Sequence, residues 1–190
     1  MNKIQKVSFY FVKVCNVLLI LIPIIVTAIW FLPESVSLAG YLQKQALLNL
    51  SLTNDTTVIL DGSNTELIFL QKFLGFCGSI VSMASSYASL FFLRKIFINY
   101  ENSSIFSLEN ARYYQKLGIY FFIDALIGKP AAEALFVLGA TISNEVGNRV
   151  FSLSFGSRNL EVLFYGVIVL IISWVMIEAS KLQEEHNSTI

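Results

Sequence analysis

Three ionisable residues interrupt an apolar segment at 117–140, and they are the residues in this chain best placed to carry chemistry. Lys129 and Glu133 are four positions apart and so share one helical face, where they can form an ion pair. Asp124 lies roughly 140° away around the same helix and needs another partner. Charges inside an apolar segment often mark an ion or proton pathway. A structural pair that faces the interior of a helix bundle is the simpler alternative.

Pro130 follows Lys129 directly and bears on how this segment folds. A proline inside a helix removes the backbone hydrogen bond to the residue four positions earlier, here residue 126. We expect a kink at this point, with Gly128 easing the bend. Charges beside a broken helix resemble the binding regions of transporters.

A second pattern is a face of small residues within 73–93. Its members recur every three or four positions: Gly75, Gly78, Ser79, Ser82, Ser85, Ser86 and Ser89. Small residues at this spacing let helix backbones approach closely in a membrane, so we interpret the face as a helix-packing seam. A hydroxyl-lined path for water or ions is the alternative.

The cysteines and the histidine give no indication of a catalytic or metal site. Cys15 and Cys77 lie in apolar runs and are expected to act as small apolar residues, and the single histidine, His186, lies in a polar tail. We predict no metal site and no cofactor. The sequence contains none of the common nucleophile, zinc or phosphate-loop motifs, so we do not expect an enzyme.

The composition indicates that the environment of this chain is lipid. Hydrophobic residues make up 55% of it and charged residues 14%, with a mean hydropathy of +0.67. A soluble domain carries about 25% charged residues. The 13 basic and 13 acidic residues balance, so no basic excess points to direct contact with nucleic acid.

Four segments are predicted to cross the bilayer, at about 14–33, 73–93, 117–140 and 159–177. Each approaches the roughly 20 residues that a spanning helix needs. The third is the least apolar, since it contains three charged residues and each unpaired charge at mid-bilayer costs roughly 2.5–3.5 kcal/mol. The prediction is an all-α fold, a four-span transmembrane helix bundle forming one domain over 1–190. A longer extracytoplasmic loop follows the first span.

The first span is expected to be retained and not cleaved as a signal peptide. Its apolar run exceeds the usual 7–15 residues of a signal sequence. Trp30 and Phe31 lie at its outer end, where aromatic side chains commonly anchor a helix at the membrane interface.

Basic residues indicate the orientation of the chain. Most lie before the first span or between the second and third: Lys3, Lys6, Lys13, Arg94, Lys95, Arg112 and Lys116. The loops after the first and third spans hold fewer. Because basic loops stay in the cytoplasm, we predict that both termini are cytoplasmic, which requires an even number of spans.

The connecting segments carry weaker signals. Residues 35–52 place apolar side chains at helical spacing and predict a short helix on the outer surface, with Lys44 and Gln43 away from the apolar stripe. A strand and turn are predicted to end at Asp61-Gly62. Ser107 is expected to cap a helix that has Glu109 in its first turn.

Two short elements carry a resemblance to a known family. The first is Ser104-Ile105-Phe106-Ser107 followed by Asn110, and the second is the tail 179–185, which closes on Ser188-Thr189-Ile190. They resemble a bacterial family of small four-helix inner-membrane proteins classed as a domain of unknown function. The charged third span departs from that pattern.

The resemblance implies a functional class. Members of such families are often encoded beside a small helix-turn-helix regulator, which implies a non-catalytic regulatory or interaction role. By motif match, Phe106, Ser107 and Asn110 would contact the partner, although a capped helix entering the membrane explains the same residues. The alternative function is a small oligomeric transporter or channel that uses the charges of the third span. The expected surroundings are the lipid bilayer, with a homo-oligomer required for transport.

Overall fold

A computed structural model of the chain describes residues 3–33, 37–51, 67–142, 151, 153 and 155–188. The described residues are mostly helical and contain no strand, which confirms the all-α class for this part of the chain. The helices are α1 (Lys3–Phe31), α2 (Ser37–Ser51), α3 (Phe69–Glu101), α4 (Leu108–Ile123), α5 (Lys129–Thr141) and α6 (Ser157–Ser188). A π-helical turn, Asp124–Gly128, joins α4 to α5.

Among the described residues, three helical stretches are long and apolar enough to cross a membrane: Lys3–Phe31, Phe69–Glu101 and Asn159–Glu185. They contain the second and fourth predicted spans and residues 14–31 of the first. The third predicted span, 117–140, does not form one long α-helix, because the π-helical turn divides it into α4 with 16 residues and α5 with 13. The described part of the chain therefore has three membrane-compatible helices and one interrupted segment.

The π-helical turn has a local cause in Pro130. The proline ring would collide with the carbonyl of residue 126 in a regular α-helix. A wider turn, in which hydrogen bonds run from residue i to i+5, relieves that collision. At the position of the expected kink, the chain forms a π-helical turn that ends at Gly128, immediately before Lys129 and Pro130 begin α5.

The chain divides into two compact units. The first comprises residues 1–21, 85–125 and 157–190, and the second comprises residues 22–84 and 126–156. The boundary falls inside α1, inside α3 and inside the π-helical turn, so three helical segments contribute to both units.

In the first unit, α4 and α6 pack antiparallel along a ladder of small residues. Ser173 Oγ donates a buried hydrogen bond of 3.0 Å to the carbonyl of Ala111, and a methyl group on Gly118 would lie 3.2 Å from the carbonyl oxygen of Gly166. A third contact joins Asn159 of α6 to the carbonyl of Ala125, at the start of the π-helical turn. Each contact of this ladder is one rung, and successive rungs are seven residues apart on both chain segments. This is the spacing at which two helices remain in contact along their length.

Helices α1 and α3 also run antiparallel within the first unit. The rings of Phe11 and Phe97 stack with centroids 4.1 Å apart, and Gln5 Nε2 donates to Ser103 Oγ at 2.9 Å. Tyr87 donates its hydroxyl to the carbonyl of Leu19 at 3.3 Å. These pairs fix the register of the two helices along this unit.

The second unit has an apolar core built from α1, α2 and α5. Its buried members are Val26, Trp30, Leu47, Ala132, Phe136 and Ala140. Gly78 of α3 lies against the ring of Phe136, which a methyl group at that position would approach to 3.2 Å. Because Gly78 has no side chain, the ring of Phe136 can pack directly against the backbone of α3.

Helix α2 confirms the predicted helix at 35–52, and its buried face includes Ala39 of the apolar stripe together with Gln43. Gln43 was expected to lie away from the packing stripe, and its side chain is instead fully buried. Its Nε2 donates to the carbonyls of Ile29 and Leu32, close to the C-terminus of α1. Terminal carbonyls of a helix lack intrahelical donors, and the glutamine supplies one. The strand and turn predicted to end at Asp61-Gly62 lie outside the described residues.

Candidate functional site

The connection between α3 and α4 is a short, closely bonded turn in the first unit. Ser103 adopts a left-handed backbone conformation with φ of 64°, and the N–H of Ser104 donates to the carbonyl of Asn99 at 2.9 Å. Ser107 caps α4, because its side chain accepts from the N–H of Asn110, and Glu109 occupies the first turn. The predicted cap is confirmed. A chain that reverses over so few residues needs these local bonds to hold its shape.

Asn110 is the centre of this turn. Its side chain is fully buried, and Nδ2 donates to the carbonyls of Ser104 at 2.7 Å and Ile105 at 2.9 Å. Its Oδ1 accepts from Asn99 Nδ2 at 2.8 Å. One amide therefore satisfies two turn carbonyls and joins α4 to α3, which explains why an asparagine occupies this position.

Further polar contacts brace the same turn. Asn99 Nδ2 also donates to Glu109 at 3.1 Å, and the hydroxyl of Tyr113 donates to the same carboxylate at 2.7 Å. The hydroxyls of Tyr100 and Tyr114 lie 3.1 Å apart. Burial, followed by this contact with Tyr100, raises the pKa of Tyr114 above the ordinary range of a phenol.

Phe106 differs from its bonded neighbours because its side chain is 51% exposed. Leu108, two residues later, is also exposed. Of the three residues with a motif match to the family, Ser107 and Asn110 thus shape the turn, and Phe106 is presented at its surface. A fixed turn with an exposed aromatic side chain is suited to recognition, because little ordering accompanies binding.

The three charges of the interrupted segment fall in different surroundings. In the first unit, Asp124 opens the π-helical turn and is 5% exposed. In the second unit, Lys129 is the first residue of α5, and its Nζ donates to the carbonyl of Ser82 at 3.1 Å. Glu133 lies one helical turn further along α5 and is half-buried.

Three members of the predicted helix-packing face of α3, namely Gly75, Gly78 and Ser79, contact other helices in the second unit. In the second unit, Gly75 lies against the indole of Trp30, and Ser79 Oγ accepts from Trp30 Nε1 at 2.8 Å. In the first unit, Ser85 is buried and its carbonyl accepts from Ser89 Oγ at 2.7 Å. Ser86, by contrast, is exposed.

The position of Trp30 corrects the prediction that it anchors the first span at the membrane interface. Its side chain is 2% exposed and belongs to the apolar core of the second unit. The indole fits there because Gly75 has no side chain and Ser79 accepts its N–H. A buried indole needs such a partner for its N–H. Phe31, the neighbouring residue, is exposed.

Asn159 is a structural residue that the sequence analysis missed. Its Nδ2 donates a buried hydrogen bond of 3.0 Å to the carbonyl of Ala125, within the π-helical turn. Pro130 has no N–H, so the carbonyl five residues earlier loses the donor that a π-helical pattern would supply. The asparagine amide takes the place of that donor. The sequence signal is the seven-residue spacing of Asn159, Gly166 and Ser173.

Replacing Asn159 with alanine is expected to destabilise the protein by about 1–2 kcal/mol, because the buried carbonyl of Ala125 loses its donor. The measurement is the free energy of unfolding in mixed detergent micelles, followed by circular dichroism. Ser157→Ala is the matched control, since Ser157 is exposed on the first turn of the same helix. Equal stability of the two variants would contradict the assigned role of Asn159.

The remaining candidate residues are the two cysteines and His186. Cys15 is buried and Cys77 is partly buried, and both are free thiols. Within the described ranges, no group of three or more histidine, cysteine, aspartate or glutamate side chains could hold a metal ion. His186 lies in α6, and its side chain is outside the described part of the chain.

Comparison with known proteins adds one result. No curated protein and no solved structure matches the chain. A family model matches residues 10–190, which is nearly the whole length. The match confirms the resemblance to a family whose function is not known. The chain belongs to the family described as "Protein of unknown function (DUF2975)".

Proposed function

We propose that the protein is a four-span protein of the bacterial inner membrane, with both termini in the cytoplasm, which acts without catalysis as the membrane partner of a regulator. Three membrane-compatible helices support the membrane assignment. The basic residues before the first span and around the α3–α4 turn support the orientation. In this topology the segment from α4 to α5 crosses the bilayer with the π-helical turn inside it.

The observation that carries the regulatory role is the contrast at the α3–α4 turn. Asn110 is buried and holds the turn through three side-chain hydrogen bonds, while Phe106 projects from the same turn with half of its side chain exposed. An aromatic side chain on a rigid support is a typical centre of a protein interface. The family resemblance suggests that the partner is a small helix-turn-helix regulator.

The test is a binding measurement between the detergent-solubilised full chain and the helix-turn-helix protein encoded beside its gene. Phe106→Ala is expected to weaken binding about 30-fold, equivalent to about 2 kcal/mol, as for a central aromatic residue of an interface. Phe155→Ala is the matched control, because Phe155 is equally exposed in the other unit. Binding that is unchanged by Phe106→Ala, or equally reduced by both substitutions, would refute the assignment.

A second candidate function is a small oligomeric transporter, and the interrupted segment favours it. Asp124 is almost fully buried beside a π-helical turn, and such turns frequently occur at functional sites. A chain of this size would need several copies to enclose a path. Flux through proteoliposomes tests this candidate with Asp124→Asn, Lys129→Gln and Glu133→Gln combined. Absence of flux in the unaltered protein, or flux unchanged by the three substitutions, would eliminate it.

A further inference from the structure

We propose that Lys13, Arg94 and Lys95, on α1 and α3 of the first unit, form a binding site for the headgroup of an anionic phospholipid. This inference does not depend on the regulator or on transport. It uses only the assignment of α1 and α3 as membrane-spanning helices. The site is defined by three cations at one level of a helix pair, directly beside exposed apolar side chains.

The register of α1 and α3 brings these cations to one level. Phe11 stacks on Phe97, and Arg94 Nε donates to Asn16 Oδ1. On α1, Lys13 lies in the sequence between Phe11 and Asn16. On α3, Lys95 lies between Arg94 and Phe97. Because the helices are antiparallel, the two lysines share the level that Arg94 also occupies.

Each cation is oriented by a neighbour. The Nζ of Lys13 lies 4.2 Å from the ring centroid of Phe9, and that of Lys95 lies 5.9 Å from the ring centroid of Phe91. Arg94 is held by Asn16 through Nε, which leaves its two terminal nitrogens in the planar geometry that suits a phosphate. Attraction to an aromatic face positions a lysine without neutralising it.

The charge at this level is not balanced within the described structure. No carboxylate among the described residues forms an ion pair with Lys13, Arg94 or Lys95. In the same unit, by contrast, Lys181 pairs with Glu178 at 3.2 Å. Three unbalanced cations at one level of a helix pair favour an anion from outside the chain.

The position of the cations selects a lipid over a soluble anion. Each lies at the end of an apolar run, since residues 14–33 follow Lys13 and residues 73–93 precede Arg94. This is the level at which headgroups meet the acyl region. Exposed apolar side chains adjoin the cations on the membrane side, namely Val14, Val17 and Phe91. A phospholipid can use both the cations and these apolar contacts, whereas free phosphate can use only the cations.

The experiment measures binding of fluorescent phosphatidylglycerol to the full chain in a neutral detergent, with phosphatidylcholine as the zwitterionic comparison. We expect clear preference for phosphatidylglycerol. Combining Lys13→Gln, Arg94→Gln and Lys95→Gln should weaken its binding about 100-fold, at roughly fivefold for each cation near an anionic surface. The single variant Lys13→Gln should lose about fivefold, and it provides the test if the triple variant does not fold.

The matched control removes the same charge elsewhere in the first unit, through Lys3→Gln, Lys6→Gln and Arg112→Gln. This variant should bind within about twofold of the unaltered protein, because screening limits the effect of distant charges. If both triple variants lost the same amount of phosphatidylglycerol binding, net charge alone would explain the loss, and the proposal would be overturned. So would equal binding of the two lipids, or complete displacement of the lipid by millimolar inorganic phosphate.

Discussion

Gly75→Ala is expected to destabilise the protein by about 2–3 kcal/mol, although alanine normally favours a helix by about 1 kcal/mol over glycine. The reason is the indole of Trp30 in the second unit, whose six-membered ring occupies the space that a methyl group would need. The ring is held by its hydrogen bond to Ser79 and by burial in the apolar core. Relief of the overlap must therefore displace the core.

The measurement is the free energy of unfolding in mixed detergent micelles, compared with Gly156→Ala. Gly156 lies just before α6 and has no atom within 4 Å of the position that a methyl group would occupy, so this control lacks the steric overlap. A second comparison is Gly75→Ala combined with Trp30→Phe, which should recover part of the loss, because a phenyl ring lacks the outer indole atoms Cζ2, Cζ3 and Cη2 that meet the methyl group. Stability of Gly75→Ala equal to that of the Gly156 control would contradict the packing of Trp30 against α3.

Asn110→Ala is expected to destabilise the first unit by about 3 kcal/mol. The substitution leaves the carbonyls of Ser104 and Ile105 and the amide of Asn99 without the bonds that Asn110 provides. Each buried polar group left unsatisfied costs about 1–3 kcal/mol, and partial entry of water at the turn reduces the total.

Asn102→Ala is the control for this second substitution, because Asn102 lies in the same turn with an exposed side chain. Its stability should remain within about 0.5 kcal/mol of the unaltered protein, as for an ordinary surface position. The same variants also probe recognition. If the turn presents Phe106, Asn110→Ala should weaken partner binding more than Asn102→Ala at a temperature where both variants are folded. Similar unfolding free energies for the two variants would argue against a central role for Asn110.

The helical character of the chain was predictable because long apolar runs favour transfer into lipid, where a spanning segment forms a helix. Uncharged stretches at 14–33, 73–93 and 162–177 identified the regions of α1, α3 and α6 without any knowledge of packing. The cap at Ser107 was predictable for a different reason, since it depends only on residues three positions apart. Both signals are local in the sequence.

The inward faces of the helices were not predictable in the same way. In an apolar helix, hydropathy does not distinguish a side chain that faces lipid from one that faces protein, so Trp30 was assigned to the interface although it is buried. Gln43 was assigned outward for its polarity, yet the carbonyls at the end of α1 provide it with acceptors. Such assignments depend on contacts between residues far apart in the sequence.

The π-helical turn was predictable in part, because it depends both on a local signal and on a contact with a distant residue. Pro130 was sufficient to predict an interruption, but not its form. The form depends on a donor from another helix, because Asn159 supplies the hydrogen bond that the proline cannot. A chain position 34 residues away thus completes the local geometry of the third segment.

The ladder between α4 and α6 has a consequence for the uniqueness of the fold. Sliding one helix by seven residues would bring Gly118 opposite Ser173 and Ala125 opposite Gly166, so these two pairs would again join small side chains. The two alignments still differ in two respects. Gly118 leaves room for Leu170, which would face the methyl group of Ala125 after the shift, and Asn159 would no longer reach the carbonyl of Ala125. A polar contact can select one alignment of two helices. In this helix pair, the amide of Asn159 and the space at Gly118 together favour the observed alignment.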